Sequence, residues 1–458
     1  MTYTPSKPET APESALLAKP TGRWNAAHWL TSWQQSRKWG WLQSFPSRVF
    51  LVILALYLAL TGLYLWASGW LLHQPDAPAG FDISVWARAS AAAWARFDSY
   101  FFLHIAQYNY TDQGLGAFFP LYPLLIRLFA WPLFGHFTLA ALLVSWLCAW
   151  GSYLWFYRLA EREYGERSAQ RALRFLALNP VSFFSFAPYS EALFLLVSIG
   201  AVERARAGRL WQASALAALG MLTRPTGILL LIPLGWEWGR RNETMLRLVA
   251  RLKLAVAQMR SQTPASSSAL LTTKAEPPLP RLAWLSLGLV PLALLGYMLF
   301  LKGQTGNALA FLAGESAWHR HLTMPWDTVG LFATAFQRAG QAGAPELYAI
   351  NILDLLLVIP LPALVLYCAI RRKMLWLGAA LYQLALTLLL IAIPTYPAEI
   401  PYEVLLSTER FMLTAFPVFL LLGQVGVKHP RLARALLVVG LALLLFNTLR
   451  FLAGNFIA

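Results

Sequence analysis

Most of the 37 Lys and Arg in this 458-residue chain fall in short clusters at every second joint between long apolar segments. Arg158, Arg162, Arg167, Arg171 and Arg174 follow one apolar run. Arg204, Arg206 and Arg209 follow another, and Arg371, Arg372 and Lys373 a later one. Orientation in a bilayer produces this alternation, with the basic joints kept on the cytoplasmic face. The chain is 58% hydrophobic and 13% charged, too little polar surface to cover a soluble globule of this length. It therefore reads as an all-α, polytopic membrane protein. The net charge of +16 resides in the joints and points away from nucleic acid. Cys148 and Cys368 both lie inside apolar runs, so neither a disulfide framework nor a thiolate metal site is expected.

Residues 1–48 read as a cytoplasmic N-terminal segment, disordered at first, then Trp-rich and lying on the anionic inner leaflet. They are too long and too polar for a cleaved signal peptide. A first span is expected at Phe50–Leu72 and the next at Phe137–Tyr157, which makes 73–136 a large external loop. Within it, Pro120 and Pro123 interrupt FFPLYPLLIRL, so this run is expected as a juxtamembrane helix. The segments between 172 and 238 are short and read as tilted or broken helices. Further spans are expected at 282–301, 347–370, 374–393, 411–422 and beyond Arg434, giving about eleven. The polar stretch 240–281 is the one obvious cytoplasmic linker, dividing an N-terminal catalytic module at 49–239 from a C-terminal helical module at 282–458.

Scarce polar groups gather on the external side of this topology. Asp98, His104 and Asp112 come from the first loop, with Asp98 set among aromatics as a half-immersed loop residue. Tyr189 and Glu191 come from PYSE and Arg224 from TRPTG. Glu315, His319, Arg320 and His321 lie in a later loop, and Glu399, Glu403, Glu409 and Arg410 in the last. Glu191 and Arg224 sit at the ends of apolar segments, where burial is costly without a partner, so a structural ion pair between them is one expectation. The other is a site that transfers a group from a lipid-borne phosphate to an acceptor hydroxyl. Phosphate leaves as a weakly basic anion, so such a site needs a carboxylate for the acceptor proton and cations for the phosphate, but no strong acid. His319-x-His321 lacks a carboxylate or Cys at metal-site spacing, and no metal or other cofactor is expected. Asn109-Tyr110-Thr111 has the form of a glycosylation acceptor but lies inside the aromatic loop, where the match reads as accidental.

WARFDSYFFLHIAQYNY with AFFPLYPLLIR resembles the first-loop signature of the PIG-V-like mannosyltransferases, within the GT-C superfamily of membrane glycosyltransferases. LNPVSFFSFAPYSEALFLLVS and ALAALGMLTRPTGILLLIP resemble the second and third motifs, and ERFMLTAFPVFLLLG the C-terminal Arg-containing segment. The likeness covers about 90–235 well and is patchy from 280 onward. One departure is Phe97, where the family usually carries Trp before the acid. The resemblance implies a polyprenyl-phosphate-mannose donor, inverting transfer and a catalytic first-loop acid, here Asp98, as general base. Glu191 would orient the acceptor or Asp98. Arg224, Arg410, His319 and Arg320 would bind donor phosphate, with His104 and Tyr189 as further substrate contacts. The acceptor would be a glycolipid or another hydroxyl compound outside the plasma membrane.

The donor's lipid chain needs an apolar groove beside the polar pocket, and Phe118, Phe119 and Tyr122 are its expected wall. Most of the 20 Trp serve only as interfacial anchors. A transporter or flippase of a lipid-linked sugar is the alternative. It should show matching halves and several ionisable residues near the midplane of its spans. No repeat is visible, and Asp354 is the main charge inside a span.

Overall fold

Apolar runs without turn residues become long helices here, and Pro- or Gly-bearing motifs become breaks between them. The computed structural model describes residues 43–68, 83–242, 279–280, 282–316, 319–371, 374–396, 403–455 and 457. The N-terminal segment up to residue 42, the linker from 243 to 278 and Glu399 lie outside the described residues, as does the side chain of Glu315.

The helices are α1 Phe45–Ala67, α2 Ile83–Trp94, α3 Asp98–Tyr108, α4 Leu121–Ala130, α5 Phe137–Tyr164, α6 Glu166–Ala177, α7 Glu191–Arg206, α8 Leu210–Met221 and α9 Leu231–Arg241. After the linker come α10 Leu289–Thr305, α11 Ala310–Glu315, α12 Pro325–Ala342, α13 Pro345–Val358, α14 Pro360–Ile370, α15 Leu377–Ala392, α16 Thr408–Leu413, α17 Pro417–Lys428 and α18 Pro430–Leu452. Among the described residues the fold is all-helical, apart from one isolated bridge between Arg320 and Thr395. Five stretches are long and apolar enough to cross a membrane: Phe45–Ala67, Phe137–Tyr164, Ala283–Thr305, Pro345–Ile370 and Pro430–Leu452.

The expectation of about eleven spans is thus met only in part. α4, α8, α15 and α17 are apolar but shorter, and α6, α7 and α9 are likewise below spanning length. The stretch expected as a span at 347–370 is broken at Pro360, which has no N–H to continue the helical ladder. α4, the expected juxtamembrane helix, has 10 residues and is about 15 Å long, half of a hydrocarbon core. Asp98, expected in a loop, is instead the first residue of α3.

α5 is the axis of the N-terminal helices and packs against α1, α4, α6 and α7. Helices from beyond the linker complete the same core: α17 lies on α6, and α10 on α8. Phe451 of α18 meets the rings of Trp94, Phe97, Phe183, Phe184 and Tyr189, so the last helix underpins the segments on either side of Asp98 and Glu191. Large apolar side chains such as Val52, Leu292 and Val438 stay exposed on the long helices, as lipid-facing surfaces require.

Close backbone approach explains two motif glycines. A Cβ on Gly227 of TRPTG would lie 2.4 Å from Met221 N, so only glycine lets the turn fold back on the end of α8. A Cβ on Gly116 would lie 2.8 Å from the carbonyl carbon of Ala310, which is how the short 3₁₀ turn Gly114–Ala117 seats against α11.

Candidate active site

Two carboxylates and three guanidiniums converge where the first-loop, PYSE, TRPTG and ERF motifs meet. Asp98 and Glu191 each occupy the first residue of a helix, α3 and α7, where the dipole favours negative charge. Phe97 just before Asp98 has φ 50°, a left-handed conformation costly for a non-glycine residue. Ser407, just before α16, has φ 66°. Both turns aim charged side chains at one point.

At that point Arg410 of α16 places Nη1 2.6 Å from Asp98 Oδ2 and Nε 3.2 Å from Glu191 Oε1. Arg224 Nη1 lies 3.0 Å from the same Glu191 oxygen. The ion pair between Glu191 and Arg224 is therefore present, but it is one edge of a larger network. Glu191 is 1% exposed, Arg224 7% and Arg410 8%. Burial pushes the Arg224 guanidinium below its ordinary value, with Glu191 acting against it. Burial also disfavours the charge on Arg410, but Asp98 and Glu191 outweigh it and hold that pKa above the ordinary value. Neither Glu191 oxygen, nor Arg224 Nη1, nor Arg410 Nε has an aligned hydrogen-bond partner. Buried polar atoms in that state are suited to groups a ligand brings.

The ring of Phe411 is shared by three cations. Arg224 stands 4.9 Å from its centroid, and Arg320 and Arg410 each stand 5.6 Å away. The π face partly offsets the repulsion of gathering like charges. Arg320 also donates to the Leu406 carbonyl. Tyr189, whose phenol burial keeps well above its ordinary pKa, donates from Oη to the Arg96 carbonyl at 3.0 Å and steadies the turn before Asp98.

These groups line a cavity of about 160 Å³, with Phe118 and Phe119 on its apolar side. Of the residues singled out in the sequence, Asp98, Glu191, Arg224, Arg410, Arg320, Tyr189, Phe118 and Phe119 are brought together here. The others lie elsewhere. His104 Nε2 contacts Thr111 Oγ1 at 3.0 Å, Asp112 Oδ1 accepts from Leu115 N, His319 is exposed, and His321 lies against the ring of Tyr396. Tyr122 is fully buried and bonds Ser145 Oγ at 2.7 Å, inside the helix packing and away from any lipid-facing groove. Two neighbours in the same FFPLYP run, Pro120 and Pro123, line a separate apolar cavity of about 480 Å³ with Tyr110, Leu222, Gly296 and Phe300. The run is thus a partition, with a polar chamber on one side and an apolar one on the other. Phe411 and Ser407 were missed in the sequence, where their only signal was adjacency to Arg410.

The far end of the same helices is basic. Arg206 pairs with Glu163 and, at 3.1 Å, with Glu237, which also meets Arg240 at 2.6 Å. α5 runs from Ser145, which lies within 3.4 Å of the Tyr189 carbonyl, to Arg162 and Glu163 in this network. That distance is about 25 Å along the axis, close to a hydrocarbon thickness.

Residues 47–235 match the family described as Mannosyltransferase (PIG-V), and the resemblance read from the motifs is borne out over those residues. Arg320 and Arg410 lie beyond the matched region. Among solved structures, the crystal structure of the Archaeoglobus fulgidus oligosaccharyltransferase, in complex with Zn and sulfate, is similar at 14% identity and a TM-score of 0.38. The likeness covers 78% of this chain and 48% of that one, so the chain spans about half the length of that enzyme. No match is found among the curated proteins.

Proposed function

We propose that this chain, whose residues 47–235 match the family described as Mannosyltransferase (PIG-V), moves a mannosyl group from a polyprenyl-phosphate donor to a hydroxyl on a glycolipid or other extracytoplasmic acceptor. The observation that carries the proposal is the pair of carboxylates, Asp98 and Glu191, bridged by Arg410 at 2.6 and 3.2 Å inside a cavity that Arg224 and Arg320 also line. Three guanidiniums against two carboxylates leave the chamber one positive charge in excess. The single negative charge of the donor's phosphodiester offsets it.

In the reaction, the acceptor oxygen attacks C1 of the mannosyl group on the face opposite the phosphate, and the C1–O bond to phosphate breaks. The electron pair leaves on the polyprenyl phosphate, and the hydroxyl proton passes to Asp98, so the anomeric configuration inverts. Arg410 couples the two ends of this exchange. As the donor phosphate takes up its guanidinium, Asp98 is released from its ion pair and its oxygen is free to accept the hydroxyl proton. Arg224 and Arg320 hold the phosphate, and Glu191 orients the acceptor hydroxyl. No metal enters this scheme.

A chamber of about 160 Å³ holds roughly five waters' worth of volume, enough for the reacting ends but not for a prenyl chain. The chain is assigned to the apolar cavity across the FFPLYP partition. The site is assigned to the extracytoplasmic face because the basic network sits at the opposite ends of α5 and α7.

The test uses purified protein in detergent with radiolabelled polyprenyl-phosphate-mannose, GDP-mannose as the control donor, and a glycolipid acceptor. Transfer from the lipid donor alone, with inverted anomeric configuration, is expected. Transfer from GDP-mannose, or lipid translocation across vesicles without transfer, would overturn the proposal.

A further inference from the structure

Behind the cationic wall, three carboxylates meet that the transfer chemistry does not use. Asp354 comes from the middle of α13, Glu403 from the turn that leads into α16, and Glu409 from α16 itself. One oxygen from each lies within 4.8 Å of the other two. Asp354 is 0% exposed, one of its oxygens lies with those of the two glutamates, and neither of its oxygens has an aligned hydrogen-bond partner. Glu409 Oε2 is also buried without one, while Glu403 Oε1 accepts from Ser407 N at 2.9 Å. No ion pair reaches any of the three among the described residues. The nearest arginine on α16, Arg410, is committed to Asp98 and Glu191, and Arg320 lines the sugar-side cavity.

A buried carboxylate oxygen without a donor is met either by a proton or by a counter-charge, and three that meet at one point suit a shared cation. Three single oxygens converging from two helices and a turn form the donor set of a hard cation, which accepts mono- and bidentate carboxylates and completes its shell with water. Glu403 and Glu409 also line a cavity of about 650 Å³ with side chains of α13, α17 and α18.

We propose that Asp354, Glu403 and Glu409 bind one hard divalent cation of the Ca²⁺, Mg²⁺ or Mn²⁺ class, which ties α16 to α13 and so positions Arg410. The link to Arg410 is short. Glu409 is its chain neighbour, and Glu403 fixes the left-handed Ser407 turn from which α16 starts. The ion touches neither donor nor acceptor, and the three acids are positioning residues. The metal site stands on its own geometry, whereas its effect on donor binding rests on the transferase reading above.

The full chain is purified in detergent, stripped with EDTA, and equilibrated separately with Ca²⁺, Mg²⁺ and Mn²⁺. Bound metal is then measured by mass spectrometry, and thermal unfolding is followed in parallel. One ion per chain is expected for wild type and for Asp98→Asn, with loss of the ion in Asp354→Asn and in Glu403→Gln. The second variant, at a half-buried position, serves if the first does not fold. Reloading should raise the unfolding temperature and lower the donor KM at least roughly 10-fold, as outer-shell support of a site does, with a smaller change in kcat. An EDTA-stripped wild type that regains no ion, or equal occupancy in both variants, would overturn the site. A bound ion with an unmoved donor KM would overturn the positioning of Arg410. The metal measurement is independent of sugar transfer, so failure of the transferase reading leaves it intact.

Discussion

Arg410 Nη1 sits 2.6 Å from Asp98 Oδ2 although 312 residues separate them. This contact closes the site, because it ties the start of α3 to a short helix beyond the linker. The same guanidinium reaches Glu191, so the carboxylates are held in fixed relation by one cation that a phosphate can claim.

Asp98→Asn removes the proposed base but keeps an acceptor oxygen for Arg410. Turnover of the lipid donor should fall at least about 100-fold, in line with general-base contributions, while the unfolding temperature changes little. The two measurements are made on the same preparation. Wild-type turnover by a folded Asp98→Asn variant would remove Asp98 from the mechanism.

Arg410→Lys keeps the charge but cannot span Asp98 and Glu191 together. Losing one charge-assisted hydrogen bond is worth about 1.5–3 kcal/mol, so kcat/KM for the donor should drop roughly 10- to 150-fold. Arg410→Ala also leaves the half-buried Asp98 without its cation and the buried Glu191 with Arg224 alone, and should cost about 3 kcal/mol of stability. A denaturant series with the two variants side by side separates the effects. Equal donor kinetics in the Arg410→Lys and wild-type enzymes would argue against a phosphate role.

Gly227→Ala places a methyl against the Met221 backbone nitrogen, where a Cβ would stand 2.4 Å away. The turn that carries Arg224 must shift, at a cost of about 1–3 kcal/mol or more. Donor KM should rise along with the loss of stability. A Gly227→Ala protein as stable as wild type would show that the turn has slack.

Membrane class, the first two spans, the boundary helix α4 and the residues of the charged network were legible in the sequence because each leaves a local mark. Charged residues are rare beside apolar runs, and Pro120 and Pro123 interrupt a helix wherever they occur. What the sequence did not disclose is long-range geometry. Phe411 is one aromatic among 27 Phe, and only the fold stacks three arginines on it. The direction of Tyr122 also differs: its aromatic character puts it at a lipid boundary, whereas the packing of α4 on α5 turns it inward to Ser145. Asp354 looked like a lone charge in a span because its companions, Glu403 and Glu409, arrive from another helix and turn. Among the described residues only five of the expected spans reach spanning length, since apolar content marks a segment as buried in protein or lipid without saying which.

At the basic end, Glu237 is 0% exposed and meets Arg206, Arg240 and Arg241. Glu237→Gln removes the buried carboxylate those arginines share, although Arg206 keeps Glu163, and should cost about 3 kcal/mol. Thermal unfolding in detergent reads the loss. Donor KM should stay at the wild-type value, because the network lies at the opposite end of α7 from Glu191. A raised donor KM with unchanged stability would contradict the separation of the two ends.

Gly296 on α10 lines the apolar cavity behind Pro120 and Pro123, and a Cβ there would meet nothing within 4 Å. Gly296→Phe therefore fills the chamber assigned to the prenyl chain without crowding the backbone. The effect should depend on the donor's length. KM for a long-chain polyprenyl-phosphate-mannose should rise about 10-fold or more, since burying each CH₂ of the lipid contributes about 0.8 kcal/mol and several would be displaced. A short-chain donor analogue that reaches only the 160 Å³ polar chamber should be used as well as by wild type. Competition between the two donors on one enzyme preparation measures the ratio directly. If both lengths suffer equally, the chain lies elsewhere, and the groove beside α13, α17 and α18 becomes the site to fill next.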